Sequence, residues 1–391
     1  MAPENIELIR QSAQRALGVI KAADGNTTAD KHFLFNRKQV ITKRKLPPYY
    51  LVYFLLADLL GFKNLGRFEK IDWSIPIDFN GKAFLLEHGK FGLCLYAHDP
   101  ESEGAAAEEI ATRIQKAVKA ATPFFDHLAS QAIALSEVNV INNSIPLFCR
   151  FEFMRDTYKS KYAESVAESE LHALKVKQKN LPLGIWTFGG AYSNLKQEAN
   201  WLAISAIESF FSWTEHVLIH IAIFTGGVTT AREVADLAAA DWSRKFRAVF
   251  DITGIEEKSL FDSALSLRQE LRNHIAHGAF GKGGEAFSFH SSAGAVPVLL
   301  PEKTGSKKFS LGNNLDFDYD LAFGVVDTFI MLLWSGKRAP AQVYIQGSSL
   351  PAILTFCADG TYSRAMTSLE EMENLVEYLS NMADQAANMD W

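Results

Sequence analysis

Cysteine is scarce in this sequence, and the cysteines that occur are far apart. Cys94, Cys149 and Cys357 are the three found in 391 residues. An odd number at such spacing favours buried thiols in a reducing compartment over a disulfide framework or a cysteine-based metal site. The N-terminus also lacks a basic segment followed by an apolar segment, which is the pattern of a secretory signal. We therefore expect a cytoplasmic protein.

Long apolar runs and low-complexity tracts are lacking too. Apolar runs such as residues 51–56 and 329–334 are much shorter than the roughly 20 residues of a membrane-spanning helix. We therefore expect no membrane contact. The composition of 48% hydrophobic and 21% charged residues excludes a disordered or collagen-like chain and is typical of a globular protein. A chain of this length is expected to form two or three domains.

Neither half of the chain is strongly basic. Residues 1–180 carry 24 Lys and Arg against 21 Asp and Glu, whereas residues 181–391 carry 15 against 24. Any contact with a nucleic acid must therefore be local. Two groups of basic residues are candidates for such a contact, although each also fits a solvated surface. They are Lys31, Arg37, Lys38, Lys43, Arg44 and Lys45 near the N-terminus, and Lys159, Lys161, Lys175, Lys177 and Lys179 further along.

The first 180 residues are predicted to form a mixed domain of helices and a small antiparallel sheet. Apolar residues at three- and four-residue spacing predict a helix over 6–21. The segment after Pro47-Pro48 is apolar up to residue 60, and we expect it to be buried. Residues 71–98 alternate between apolar and polar around the hairpin signal Asn80-Gly81, which predicts the sheet. Helical spacing returns over 105–133 and 152–179. We assign no known family to this domain.

The remainder is predicted to be a helical bundle with a hairpin and a short extension. Glycine and proline residues at 181–190 break the helical pattern and mark a domain boundary. The spacing predicts helices over 197–224, 231–250, 258–277 and 320–334, with an inserted hairpin at 285–311. Strands at 342–345 and 352–357 and a helix from Ser368 onward form the extension. The predicted fold class is α+β, with domains at 1–180, 181–340 and 341–391.

Residues 268–278, which read Arg-Gln-Glu-Leu-Arg-Asn-His-Ile-Ala-His-Gly, give the strongest indication of chemistry in the sequence. At about 100° per residue, the apolar residues Ala264, Leu267, Leu271 and Ile275 share one side of the predicted helix. We expect this side to be the buried stripe of the helix.

The polar groups of the same helix lie on the other side. Glu270, Asn273 and His277 cluster on the face opposite the buried stripe, and Arg272 lies on the rim of that face. This face is open to a substrate or a partner. Arg272 and His277 lie about 140° apart around an ideal helix. Both therefore reach one substrate only if the helix loosens at Gly278 or if two copies of the chain each supply half of a site.

An arginine and a histidine are a pair suited to metal-free cleavage of RNA. An imidazole takes the proton of the 2′-hydroxyl or protonates the leaving oxygen, and a guanidinium holds the phosphate through two hydrogen bonds. In a symmetric dimer, each copy would supply one histidine. A structural interpretation competes with this one, because Arg272, Asn273 and His277 can instead bond the last carbonyls of the helix and complement its dipole.

Other patterns give weaker indications of a metal or a phosphate. His216 and His220 have metal-ligand spacing, but no glutamate lies in the position that a zinc protease needs, which favours structural histidines. His274, His277 and His290 could also bind a metal, yet no cysteine or acidic residue lies at useful spacing. Residues 281–284 follow a helix instead of opening one, so we expect a flexible turn from which Lys282 could touch a phosphate, and not a phosphate-binding loop.

The segment Arg272-Asn273-His274-Ile275-Ala276-His277 resembles the signature of HEPN domains. That signature is an arginine, a polar residue and then a histidine, near the end of a helix in a small all-α bundle. Arg272, Asn273 and His277 match these positions one by one. The resemblance covers residues 195–337, and the helix 197–224 resembles the first helix of the bundle. The hairpin at 285–311 and the extension at 341–391 lie outside the minimal bundle.

The resemblance implies a dimeric, metal-independent endoribonuclease of a toxin or antiphage-defence system. Arg272, Asn273 and His277 would be its catalytic residues and would cut RNA to 2′,3′-cyclic phosphate and 5′-hydroxyl ends without a cofactor. Further candidates are residues that would orient His277 or contact the RNA, namely Glu208, Glu215 and Glu270 for the first role and Arg268 and Lys282 for the second.

The partners implied by the resemblance are RNA, a second copy of the chain, and a regulatory protein or phage trigger. Residues 1–180 would sense that trigger, restrain the nuclease or bind the RNA. The alternative is a non-catalytic module of the same type, which dimerises or holds a nucleotide or a partner protein.

Overall fold

The computed structural model describes residues 3–178, 191–277, 288–291, 294–297 and 318–389. The fold is of the predicted α+β class, 66% helical, with a small antiparallel sheet of five strands. The chain divides into two compact units. Unit 1 comprises Met1–Leu135 with Glu377–Trp391, and unit 2 comprises Ser136–Val376. This division differs from the predicted domain limits at 180 and 340, the first of which lies outside the described residues.

Unit 1 combines the sheet with helices that share its core. The helices are α1 (Pro3–Leu17), α2 (Phe33–Asn36), α3 (Tyr49–Tyr53), a π-helical segment (Phe54–Leu59), α4 (Pro100–Ala120) and α5 (Thr122–Ala134). The strands are β1 (Ile20–Ala22), β2 (Lys38–Val40), β3 (Ile71–Phe79), β4 (Lys82–Gly89) and β5 (Gly92–Ala97), in the order β1-β3-β4-β5-β2. Leu56, Ile75 and Ile110 are fully buried in the core between them.

The predicted hairpin at Asn80-Gly81 is confirmed, and the C-terminal end predicted for the first helix is wrong. Asn80 and Gly81 join β3 to β4 with φ values of 54° and 81°, as a tight hairpin turn requires. The first helix was expected to reach residue 21, but α1 ends at Leu17 because Gly18 adopts a left-handed conformation with φ of 64°. Ile20 then pairs with Phe79 as part of β1.

Unit 2 is mostly helical. Its elements are β6 (Asn139–Val140), α6 (Ser144–Gln178), α7 (Ala191–Phe224), α8 (Ala231–Ala239), α9 (Trp242–Arg247), α10 (Ile255–His277), β7 (Ser288–Ser291), β8 (Gly294–Pro297), α11 (Tyr319–Leu333), a 3₁₀ turn (Gly336–Arg338), α12 (Ala339–Ile345), β9 (Ala352–Ile353), α13 (Thr355–Ala358), α14 (Thr361–Ala365) and the start of α15 (Leu369–Asn388). The pairs β6-β9 and β7-β8 are antiparallel.

Helix α7 is central to unit 2, and it contacts α6 and each helix from α8 to α12. Aromatic side chains fill the space between these helices. Phe210 on α7 meets Phe329 on α11 edge to face at 5.3 Å, and Trp242 on α9 lies 5.3 Å from Phe246. The buried indole of Trp242 donates its N–H to the hydroxyl of Thr214 at 3.0 Å. Helix α10, which carries the motif, adds Phe261 to this core, 5.2 Å from Phe246.

Three expectations for unit 2 are corrected by the structure. Residues 231–250 form two helices, since Asp241 starts α9 by accepting the backbone N–H of Arg244 at 2.7 Å. Residues 342–345 were expected as a strand but belong to α12. Ala341, Tyr344 and Ile345 are fully buried at helical spacing, and a short apolar run alone does not separate the two structures. Of the strand expected at 352–357, residues 352–353 form β9, whereas residues 355–357 belong to the short helix α13.

The cysteines and the apolar helices were also part of the expectations. All three cysteines are free, but Cys149 is exposed on α6, and Cys94 and Cys357 are half-buried, so the expectation of buried thiols is wrong. Among the described residues, no single helix is long and apolar enough to cross a membrane. Helix α11 and the segment Gly336–Ile345 meet the length and composition criteria only as a pair bent by 72°.

Candidate functional site

Helix α10 carries the Arg-Asn-His motif. The predicted helix over 258–277 is confirmed, and it begins slightly earlier, at Ile255, with Glu256 and Glu257 in its first turn. Acidic residues at this end complement the positive end of the helix dipole. The helix continues to His277, so the complete motif lies on one helix.

The apolar stripe predicted for this helix is buried at Ala264, Leu267 and Leu271, whereas the side chain of Ile275 lies outside the described part of the structure. Ala264 and Leu267 are fully buried, and Leu271 is 4% exposed. The helix packs against α7 and α11. Its rotation about its own axis is therefore constrained by apolar packing.

The residues of the polar face are described to different extents. Arg272 is exposed to solvent, one residue after the buried Leu271, and Glu270 is half-buried. Asn273 and His277 belong to α10, but their side chains lie outside the described part of the structure, as does the whole of Lys282. The structure therefore places the guanidinium of the predicted pair at the surface near the C-terminal end of α10.

A compact ionic cluster lies between the helices next to this face. Glu215 on α7 accepts hydrogen bonds from Lys245 Nζ on α9 at 2.7 Å and from Arg268 Nη2 on α10 at 2.6 Å. The Lys245 side chain is only 4% exposed, whereas those of Glu215 and Arg268 are about one third exposed. One carboxylate thus joins three helices, and we call these three residues the Glu215 bridge.

Two of the predicted site residues, Glu215 and Arg268, contact each other in the Glu215 bridge. Glu215 had been expected to orient His277 and Arg268 to contact RNA, and here the two form an ion pair. Glu208, another of the three glutamate candidates, is exposed on α7. The two cations of the bridge outnumber its single carboxylate. The bridge therefore carries net positive charge one helical turn before Arg272.

Lys245 was not among the site residues predicted from the sequence. The sequence does contain an indication that Lys245 is buried. Lys245 lies three residues after Trp242 and next to Phe246, so it falls on the side of α9 on which these two aromatic residues are buried. A lysine on a buried aromatic face requires an acidic partner. The sequence does not indicate which acidic residue that is, since Glu215 lies 30 residues earlier in the chain.

The two histidines on α7, His216 and His220, have a structural role. His216 Nε2 accepts the backbone N–H of Asn143 at 2.9 Å, and His220 Nδ1 lies 3.0 Å from the carbonyl oxygen of His216. Burial lowers the pKa of His216 to about 4, with a smaller contribution from His220, and burial also lowers the pKa of His220. Both rings are therefore neutral at pH 7, as suits core histidines.

Within the described ranges, no group of three or more histidine, cysteine or acidic side chains is arranged to hold a metal ion. The side chains of His274 and His290, which the sequence offered as metal ligands together with His277, lie outside those ranges.

The basic groups noted in the sequence differ in exposure. Lys38, Lys43, Arg44 and Lys45 are exposed, whereas Arg37 is half-buried and forms an ion pair with Glu87 at 2.6 Å. In the second group, Lys161 contacts Glu164 at 3.3 Å and Glu198 at 3.5 Å. The ion pairs at Arg37 and Lys161 give both side chains a structural role.

Taken together, the geometry consists of an exposed Arg272 on a well-packed α10 and the positively charged Glu215 bridge one turn earlier. This arrangement suits an anionic ligand near the end of α10. Comparisons of the chain with protein-family models, with curated proteins and with solved structures found no match.

Proposed function

We propose that the protein is a metal-independent endoribonuclease whose site lies at the C-terminal end of α10. The observation that carries the proposal is the exposure of Arg272 beside the buried stripe of α10. A residue that served the core would be buried, as Leu267 and Leu271 are. An exposed guanidinium can instead hold a phosphate through two parallel hydrogen bonds.

The proposal extends to the fold of the surrounding helices. The bundle of α7, α10 and α11, with the antiparallel pair β7-β8 between α10 and α11 in the chain, is proposed to be HEPN-like with an inserted hairpin. The packing of α10 against α7 and α11 around aromatic side chains supports this.

The chemistry follows from the residue types of the motif. The imidazole of His277 removes the proton of a ribose 2′-hydroxyl, and the resulting oxygen attacks the adjacent phosphorus. The P–O5′ bond breaks as the new P–O2′ bond forms, and an imidazolium protonates the departing 5′-oxygen. Arg272 stabilises the charge that builds on the phosphate, and Asn273 positions it. The products are a 2′,3′-cyclic phosphate and a 5′-hydroxyl, and no water is consumed.

This reaction uses two imidazole groups, one as the base that removes the 2′-hydroxyl proton and one as the acid that protonates the 5′-oxygen. We propose that a second copy of the chain supplies the second His277, because Arg272 and His277 lie about 140° apart on one ideal helix. The partners are therefore RNA and a second copy. A role of the N-terminal part in sensing a trigger remains part of this proposal.

The proposal is tested by incubating total cellular RNA with purified protein in EDTA, followed by end-group analysis of the fragments. Wild type is compared with Arg272→Ala and His277→Ala. Matched controls are Arg232→Ala, which alters an exposed arginine of α8 in unit 2, and His32→Ala, which alters an exposed histidine. We expect EDTA-resistant cleavage, cyclic-phosphate ends, and loss of cleavage only in the two motif variants.

Two results would contradict the proposal that the protein is a nuclease. One is a wild type that stays inactive even with infected-cell lysate added, which would favour the non-catalytic binding module. The other is cleavage by Arg272→Ala and His277→Ala at the wild-type rate, which would indicate a contaminating enzyme. Toxicity on expression gives an independent readout, since the proposal predicts toxicity for wild type and not for His277→Ala.

A further inference from the structure

A pocket lined by aromatic rings lies in unit 1, where α3 and the π-helical segment meet β3. Its volume is about 350 Å³, which falls within the range of small-molecule sites, roughly 300–1,000 Å³. We call it the aromatic pocket, and its rings are those of Tyr49, Tyr50, Tyr53, Phe54 and Trp73.

Two tyrosine rings of this pocket pack against buried or nearly buried side chains. Tyr49 stacks on the buried His88, with ring centroids 3.9 Å apart and planes within 5° of parallel. Tyr53 lies 5.6 Å from Trp73, which is itself 3% exposed. By contrast, Tyr49 and Tyr50 are 44% and 47% exposed. The pocket therefore has a fixed floor and an open wall of tyrosines that is available to a ligand.

Polar groups lie at the edge of the aromatic pocket. The Asn64 side-chain oxygen accepts the backbone N–H groups of Gly66 at 3.0 Å and of Ser74 at 3.2 Å. Its NH₂ group is consequently the part of the amide that can donate to a ligand. Arg67 lines the same pocket, and its side chain is 64% exposed.

The charge beside the pocket favours an anion. The loop between the π-helical segment and β3 exposes Lys63, Arg67 and Lys70, against the single acidic residue Glu69. Asp72 also lines the pocket, but its carboxylate lies 3.3 Å from Arg67 Nε and forms an ion pair with it. A quaternary ammonium ion would also suit aromatic rings, yet it is much smaller than this cavity and would face the basic loop.

We propose that the aromatic pocket binds a nucleotide, with the base against the tyrosine rings and the phosphate at Arg67. Planar bases stack on such rings whatever their sequence, and an arginine holds the phosphate. A free mononucleotide and an unpaired nucleotide of single-stranded RNA share this chemistry. The inference concerns residues of unit 1 alone and does not depend on a nuclease at α10.

Isothermal titration calorimetry of the full-length chain tests the proposal. The His277→Ala background prevents cleavage of RNA by the proposed site. The ligands are AMP, GMP, CMP and UMP in one set of titrations and a short single-stranded RNA in the other. Binding of mononucleotides identifies the free nucleotide as the ligand, whereas binding of RNA alone identifies an unpaired nucleotide in a strand. Both outcomes support the proposal.

Variants assign the binding to the pocket. Tyr50→Ala removes one ring from the open wall and is expected to weaken binding about tenfold, and Tyr50→Phe to retain it. Arg67→Gln is expected to weaken binding and to reduce its dependence on salt. The matched controls are Phe91→Ala, at a ring that is 95% exposed, and Arg15→Gln, at an exposed residue of α1. Both controls should bind as tightly as the parent, and circular dichroism checks that every variant is folded.

Three results would overturn the assignment. The first is an absence of binding of every nucleotide and of the RNA at millimolar concentration. The second is equal affinity of Tyr50→Ala and the parent protein in a folded state. The third is binding of tetramethylammonium, the probe of a cation site, without binding of nucleotides.

Discussion

Glu215→Gln is expected to destabilise unit 2 strongly, because Lys245 would lose its ionic partner while remaining buried. Breaking a buried ion pair by removing one member costs about 3–5 kcal/mol. The Glu215 side chain is 33% exposed, so water reaches the carboxylate, and glutamine retains an oxygen that can accept a hydrogen bond. We therefore expect a loss of about 2 kcal/mol in the free energy of unfolding, or roughly 4–8 °C in melting temperature for a unit of this size.

Urea unfolding followed by tryptophan fluorescence measures this loss, since Trp213 and Trp242 lie in the core beside the Glu215 bridge. The matched control is Glu208→Gln, which removes an exposed carboxylate from the same helix and should change stability by less than about 0.5 kcal/mol.

A double variant separates the loss of the ion pair from other effects. Adding Lys245→Met to Glu215→Gln removes the buried ammonium, so the double variant should be more stable than Glu215→Gln alone. The reasoning would be refuted if Glu215→Gln were as mild as Glu208→Gln. A double variant that lost the sum of the two single losses would refute it as well, because additive losses indicate no coupling between the two charges.

Three further predictions concern the same unit. Thr214→Val leaves the buried N–H of Trp242 without its acceptor and should cost about 1–3 kcal/mol, as measured by urea unfolding, while Thr214→Ser should cost less. Because burial lowers the pKa of His216 to about 4, its contribution to stability is complete above the unfolded value near 6.5 and declines as the pH falls from there towards 4. Between pH 6.5 and 5.5 this loss is at most about 1.4 kcal/mol. His216→Gln should therefore make the free energy of unfolding, measured in urea, less dependent on pH. An unchanged pH dependence in this variant would contradict the prediction. Glu215→Gln should also slow RNA cleavage when assayed well below its melting temperature, whereas Glu256→Gln, at an exposed residue in the first turn of α10, should not.

The parts of the fold that were predictable are those in which local spacing carries the information. The alternation over 71–98 and the Asn80-Gly81 turn indicate the hairpin β3-β4, and the spacing of Leu267 and Leu271 indicates the buried side of α10. The error at 342–345 has the same origin, because four apolar-rich residues fit a strand as well as a buried helix. The end of α1 depends on one glycine, Gly18, which an otherwise continuous helical pattern concealed.

The Glu215 bridge was not predictable for a different reason. Its three members come from α7, α9 and α10 and are separated by 30 and 23 positions in the chain. Their contact depends on how the helices pack, whereas sequence spacing reports only one helix at a time. Glu215 and Arg268 were each predicted as site residues, but in different roles, and their contact with each other was not predicted.

The bridge also bears on where Arg272 can act. Apolar packing alone defines the rotation of a helix only loosely, because Leu and Ala side chains tolerate small shifts. An ion pair at 2.6 Å between Arg268 and Glu215 adds a second, directional constraint on α10. A side chain about 5–6 Å from the helix axis moves about 2 Å when the helix rotates by about 20°. Since a misplacement of about 1 Å can cost about a hundredfold in rate, a constraint one turn before Arg272 would matter for catalysis and little for an arginine that only caps the helix. The effect of Glu215→Gln on cleavage in the folded protein therefore distinguishes a working Arg272 from a structural one.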